Sequence, residues 1–398
     1  MASQASSAVS GARSGRPLVF YISYDGMGEP LGRSQVLAYL FRLAPDHDIT
    51  LFSFEKADAD REALASELQH HGIVWHPLSY HKRPPVLSTL IDAIRGSLAL
   101  RAAARRRRPD IVHVRSYVPA LIALWARRWT SGELLFDMRG FWVDERVEGG
   151  VWPSDRLAYR LLFSVAKWCE RRFFQRASAV VTLTHASVPR IRELLADSAR
   201  EVVVIPTCVD LDSFRLGEQR SQGPWITWCG SIGTWYRFDL VPRLAEAVAL
   251  PLQVITRQTE LATEILDGAP AKLVTLPPHQ VPTVLRAGDI GVSLCVSSAS
   301  KIASAPTRFA EYLATGMPVV VSPGIGDLVE IVERHRVGVV LCGDDTAAFE
   351  HAAEQLHALL AESDLPERCR AVAAALFDVK VGATQYAELY ARLGESRD

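Results

Sequence analysis

Cysteine is scarce and never closely paired in this 398-residue chain: Cys169, Cys208, Cys229, Cys295, Cys342 and Cys369 include no Cys-x-x-Cys. Such wide spacing offers neither a disulfide framework nor a zinc knuckle, and predicts buried free thiols in a reducing compartment. Long apolar runs are missing as well. No stretch approaches the roughly 18 apolar residues that a membrane span requires. Neither sign of charge is in excess, since 44 Lys and Arg face 45 Asp and Glu for a formal net charge of -1. No global field therefore favours nucleic acid or another polyanion. The opening "MASQASSAVSGARSG" has no apolar signal core and is expected to be a disordered leader, residues 1–16, on a cytoplasmic protein.

What is present is ordinary globular material, 48% apolar and 22% charged, in a length that suits two domains. Short runs rich in β-branched and aromatic residues, "LVFYISY", "ITLFSFE", "DIVHVRS", "LLFDMR", "AVVTLT" and "VVVIP", read as strands. Between them lie amphipathic stretches such as "RSQVLAYLFRLA" and "LAYRLLFSVAKWCERRFFQRA". After the polar, turn-rich "RLGEQRSQGP" the alternation restarts with "WITWCGSI", "LQVITR", "DIGVSLCV" and "PVVVSP". The pattern predicts an α/β protein of two tandem Rossmann-like domains facing a cleft, at residues 17–207 and 208–376. A C-terminal helical segment, 377–398, is free to pack back on the first domain.

The Gly-x-Gly of "PVVVSPGIGDLVE" has Val329 where a dinucleotide fingerprint needs its third glycine, so Gly324 and Gly326 read as a tight strand-to-helix turn. In "PTRFAEYLATG", Pro306 suits a helix start and Gly316 with Pro318 a stop. The unpaired N–H groups of that start, with Lys301 and Arg308, would suit a diphosphate, and Glu311 one turn on could accept both hydroxyls of a ribose. A surface carboxylate beside surface bases is the competing account. The loop "YDGMGEPLGRSQ" carries Gly28 and Gly32, which permit close backbone approach, or it is a plain turn. The stretch 139–152, "RGFWVDERVEGGVW", is expected to be a long decorated loop. In it Trp142 and Trp152 could stack on a sugar, while Asp144 or Glu145 could orient an acceptor hydroxyl. Arg115, at the end of "DIVHVRS", is a candidate acceptor residue, and His113 a core one. "RAAARRRRPD" reads as a solvated helix end, with contact to acidic lipid headgroups as the sharper alternative.

The segment "RFAEYLATGMPVVVSPGIGDLVEIV" resembles the donor-binding segment of family 4 glycosyltransferases. "VVVIPTCVDLDSF" resembles that family's hinge, and "DIVHVRSYVPALIAL" and "GEPLGRSQVLAYLFRLAPDHDITLFSF" resemble segments of its N-terminal half. The resemblance implies a GT-B fold and retaining transfer of a sugar from a nucleoside-diphosphate sugar. It implies no cofactor and metal-independent catalysis, and the sequence is expected to hold no Asp-x-Asp motif of the metal-dependent glycosyltransferase class. Glu311 is then the ribose ligand, while Ala303 stands where the family has its first Glu. Ser231 and Tyr236 stand at the usual phosphate-binding positions, which leaves Arg237, Lys301 and Arg308 for the diphosphate, with Arg257 also available. Gly230, Ser231, Ser304, Thr307, Gly28 and Gly32 complete the expected donor site. Arg139 replaces a His near the donor sugar and is placed with Asp144 at the reacting sugars; Arg115, Trp142, Glu145 and Trp152 are expected on the acceptor side. The acceptor is left open among a glycan, a lipid-linked saccharide and a small molecule. A peripheral contact with the inner membrane face also stays open. A nucleotide-sugar 2-epimerase and a non-catalytic two-domain binding protein are the alternatives.

Overall fold

The computed structural model describes residues 15–197, 199–217, 225–286 and 288–395. Nearly all of the expected leader, and most of the linker expected at 215–224, lie outside the described residues. The first seven strands are β1 (Leu18–Ser23), β2 (Asp48–Glu55), β3 (Val74–Ser79), β4 (Ile111–Arg115), β5 (Glu133–Asp137), β6 (Ala179–Thr182) and β7 (Glu201–Val204). They form one sheet in the order β3-β2-β1-β4-β5-β6-β7. The remaining six are β8 (Ile226–Cys229), β9 (Leu252–Ile255), β10 (Ala271–Val274), β11 (Ile290–Ser293), β12 (Val319–Val321) and β13 (Gly338–Val340). Their order is β10-β9-β8-β11-β12-β13. Every strand pairing in both sheets is parallel. Parallel strands are buried on both faces by their crossover helices, so β1, β6, β8, β9, β11 and β12 are buried along their whole length.

In each sheet the chain reverses direction of travel beside its first strand, β1 or β8, which puts a ligand crevice at the carboxyl ends of the neighbouring strands. One close approach fixes the key helix of the second unit, Thr307–Ala314. A Cβ on Gly291 of β11 would lie 2.3 Å from Cγ of Tyr312, so glycine lets the Tyr312 ring lie directly on the strand. The Tyr312 hydroxyl then accepts from the N–H of Cys229, 2.8 Å away, tying this helix to the end of β8.

The last helix, Val379–Glu395, belongs to the first sheet's core. Its Val379, Ala383, Tyr386, Leu389 and Tyr390 share one buried cluster with Val19, Tyr21, Leu40 and Leu51. The expected loop at 139–152 is instead organised around a helix, Trp142–Glu148. Phe141 and Val143 are fully buried and anchor its start, while Asp144 and Glu145 occupy the first turn, where the helix dipole favours negative charge. All six cysteines are free.

Candidate active site

Between the sheets lies an open cleft of about 1350 Å³. Its walls come from the loop after β1 and the helix start that follows, the end of β2, residues 208–215, the ends of β8 and β11, and the start of the 307–314 helix. Gly28, Gly230, Ser231, Thr307, Arg308 and Glu311 all line it, as do Tyr236 and Arg257. Arg308 Nη1 donates to Oε2 of Glu311, one helical turn away, leaving Oε1 for a hydroxyl. Burial raises the Glu311 pKa above the usual carboxylate value, and the Arg308 charge restrains that rise. Burial alone would lower the Arg308 pKa, but the Glu311 carboxylate outweighs it and the guanidinium stays charged. The pair is therefore a fixed cation and a partly masked anion at a helix start, a setting that accepts a phosphate beside a polyol.

Across the cleft, the loop after β1 is held by a residue that the sequence reading passed over. Glu55, at the end of β2, accepts from the N–H groups of Met27 at 2.9 Å and Gly28 at 3.4 Å, and from the Ser53 hydroxyl at 2.6 Å. A carboxylate closing an otherwise apolar strand, "LFSFE", was the available signal. Gly32 does not line the cleft; a Cβ there would meet the Gly26 carbonyl oxygen at 2.1 Å, so it serves the close packing of helix on loop.

Several expected site residues are engaged elsewhere. Arg237 faces Asp239 at 2.9 Å and Asp344 at 3.6 Å, and Arg257 lines the cleft in its place. Lys301 is not in the cleft wall. Its ammonium sits 3.1 Å from Glu145 of the first unit and 3.9 Å from the centre of the Trp235 ring of its own unit. Ser304 lines a separate cavity of about 410 Å³, beside Thr184, His185 and Asp327. Asp144 is taken up by Arg190 at 2.5 Å and Lys167 at 3.2 Å. Trp142 and Trp152 pack edge to face at 5.6 Å, Trp142 lies against Tyr117, and both belong to the first hydrophobic core. Trp152, beyond the 142–148 helix, is buried, and Trp142 is half-buried with its ring between Tyr117 and the Arg146 guanidinium, 4.6 Å from the ring centre.

Arg115 and Arg139 converge on Asp137 at the carboxyl end of the first sheet, at 3.7 and 3.6 Å. Arg115 also reaches Asp25 at 3.2 Å, and His113 Nε2 lies 3.7 Å from Asp137 while its Nδ1 meets the Tyr390 hydroxyl at 2.6 Å. His113 is thus a core residue, as expected. Burial would raise the Asp137 pKa, but Arg139, His113 and Arg115 bring it down to about 2. Ala303 is fully buried in the first unit's hydrophobic core, where a glutamate side chain would have no room. Three Asp-x-Asp sequences do exist, Asp46 with Asp48, Asp58 with Asp60, and Asp210 with Asp212. Asp60 caps the helix Arg61–His70, and Asp210 accepts from the Ser213 hydroxyl. Asp58, Asp210 and Asp212 nevertheless line the cleft.

A set of contacts that sequence reasoning did not anticipate clasps the two units at one edge. Asp327 accepts from the N–H groups of His185 at 2.7 Å and Ala186 at 2.8 Å. Thr184 donates to the Ile302 carbonyl at 2.6 Å, and Glu148 accepts from the N–H of Ser300 at 3.2 Å.

Two parallel α/β sheets facing a cleft, the second offering a helix start with Arg308 and Glu311, define the GT-B class. The chain resembles solved structures of that class over nearly its whole length. These include sucrose-phosphate synthase from Thermosynechococcus elongatus, with a TM-score of 0.73 at 16% identity, covering 96% of this chain and 100% of that one. A glycosyltransferase from Rickettsia africae gives 0.68 at 15%, covering 95% and 99%. Anabaena HepE in complex with UDP and glucose gives 0.65 at 15%, covering 94% and 99%. Residues 35–208 match the family model of the glycosyl transferase 4-like domain. That match spans most of the first unit, in line with the family 4 resemblance of the motifs, and the solved structures show that the fold is GT-B. In sequence, no curated protein matches it.

Proposed function

We propose that the protein transfers a sugar from a nucleoside-diphosphate sugar to a hydroxyl acceptor with retention at the anomeric carbon and without a metal. The observation that carries this is Arg308 and Glu311 together at the start of the 307–314 helix, opening into the interdomain cleft. Glu311 Oε1 takes the ribose hydroxyls. Arg308, Arg257 and the first N–H groups of the helix hold the diphosphate, whose charge grows as the glycosidic bond to phosphate breaks. One such preorganised donor is worth about 2.7 to 4 kcal/mol in the transition state. The departing phosphate takes the acceptor proton on the same face, and the loop at 26–29, braced by Glu55, closes the opposite wall. Lys301, Asp144 and the two tryptophans act through the fold and the clasp. UDP is the first nucleotide to test, because the Anabaena neighbour is bound to it.

Thermal unfolding with and without millimolar UDP, GDP, ADP and dTDP tests the proposal. A nucleotide at about 100 times its dissociation constant adds ~2.7 kcal/mol of stability. A midpoint shift with one of the four, abolished in both Glu311→Gln and Glu311→Ala, is the expected result. Flat curves with all four, or a shift that survives both substitutions, would overturn it.

A further inference from the structure

We propose that the outward face of one helical layer of the first unit is a docking surface for an anionic lipid bilayer. The layer consists of the helices Leu87–Arg106, Tyr117–Ala126 and Leu157–Arg176, with the middle one packed between the other two. On the last, Leu157, Leu161, Val165 and Trp168 recur at steps of four, four and three and are 51% to 76% exposed. On the first, Leu87, Leu90, Ile91, Ile94 and Leu98 follow the same helical period and are 41% to 55% exposed. Trp125 adds an exposed ring on the middle helix. Single exposed apolar residues are ordinary, but continuous stripes turned to solvent on neighbouring helices mark an interaction surface. These stripes are the second apolar face of helices whose first face is already buried in the core cluster.

Charge identifies the occupant. Each outer helix has a single acidic residue, and both are withdrawn from the surface: Asp92 is fully buried and accepts from the Tyr24 hydroxyl at 2.9 Å, and Glu170 is fully buried and accepts from the Tyr117 hydroxyl at 2.8 Å. The exposed charges on these two helices are all arginines: Arg95, Arg105 and Arg106 on one, Arg160, Arg171, Arg172 and Arg176 on the other. Arg127 and Arg128 follow the middle helix, also exposed. A chain of net charge -1 thus concentrates its positive charge around its exposed apolar stripes. A second copy presenting the same face would set arginine against arginine. An anionic bilayer satisfies both halves of the pattern, taking the Leu, Ile, Val and Trp side chains below the headgroups while arginines meet phosphates. The 87–106 and 157–176 helices are each about 30 Å long at 1.5 Å per residue, so the surface is broad enough to lie flat.

Cosedimentation of the full chain with vesicles tests this, independently of any sugar transfer. We expect binding to phosphatidylglycerol-containing vesicles, weaker binding to pure phosphatidylcholine, and loss on raising salt. Leu161→Glu with Val165→Glu should cut bound protein about tenfold while leaving the melting temperature and nucleotide shift unchanged, because both side chains are exposed. Charge reversal at Arg160 and Arg171 should do the same by the electrostatic route. Absence of sedimentation with either vesicle would overturn the proposal, as would undiminished binding by both variants. Light scattering that shows a dimer in the native chain and a monomer in Leu161→Glu would also overturn it, assigning the face to a second copy.

Discussion

Individual residues in this protein divide by what already satisfies them. Glu311 keeps one carboxylate oxygen for a ligand, whereas Asp144 has two cations on it and Trp152 a ring and a core around it. Trp152→Ala should therefore lower stability by about 3 kcal/mol, the usual cost of emptying a buried tryptophan site, and leave the Michaelis constant of the remaining folded enzyme unchanged. Denaturant unfolding and steady-state kinetics on the same preparation check it. A second residue-scale expectation concerns acid. Asp137 is held at about 2 against an ordinary 3.8, so its contribution is present above the ordinary value and is lost as pH falls toward 2. Burial lowers the His113 pKa below 6.5, so the fold favours the neutral ring and loses stability as pH falls beneath that value. Both act in one direction: the melting temperature should decline from pH 6.5 downward and most steeply below 4. Asp137→Asn should lower it at neutral pH and flatten the steep limb. The sequence motifs placed Glu311 and Arg308 where the structure has them, at the cleft wall, but not the partners of Arg237, Asp144 and the tryptophans, because a motif fixes a position in the chain and not which neighbours claim the side chain first.

At the scale of elements, strands were legible because parallel sheets buried on both faces demand continuous apolar runs, and "LVFYIS" or "PVVVS" can hardly be anything else. The helix at Trp142–Glu148 was not legible. It is seven residues long, its apolar anchors are few, namely Phe141, Val143, Val147 and the tryptophans, and its flanking glycines imitate a loop. The turn after β12 is a different case: the two glycines were read correctly as a turn, but not their second task. Gly326 has φ of +45°, and a Cβ there would meet the Ser304 carbonyl oxygen at 2.4 Å and Thr184 Cγ2 at 2.6 Å. Gly326→Ala should cost about 1 to 3 kcal/mol and act as a wedge between the two units, visible as a lower melting temperature and a larger radius of gyration by small-angle scattering.

For the molecule as a whole, the clasp of Asp327, Glu145, Glu148 and Thr184 ties the two units together at one edge. Asp327→Ala removes the acceptor of two N–H groups at once and should increase the rate of limited proteolysis between the units while sparing each core. The fold class followed from the alternation of strands and helices, but the clasp pairs residues more than a hundred positions apart, and no local pattern announces such contacts.

The closing helix, Val379–Glu395, places Leu389 and Tyr390 in the same core as Val19 and Tyr21. During synthesis, the first seven strands leave the ribosome long before the helix that completes their core, while the second sheet has all its strands by Val340. The N-terminal unit is thus begun first and finished last. Nascent chains arrested near residue 350 should carry an N-terminal half that proteases still cut, and arrest beyond residue 395 with a linker long enough to clear the exit tunnel should make it resistant.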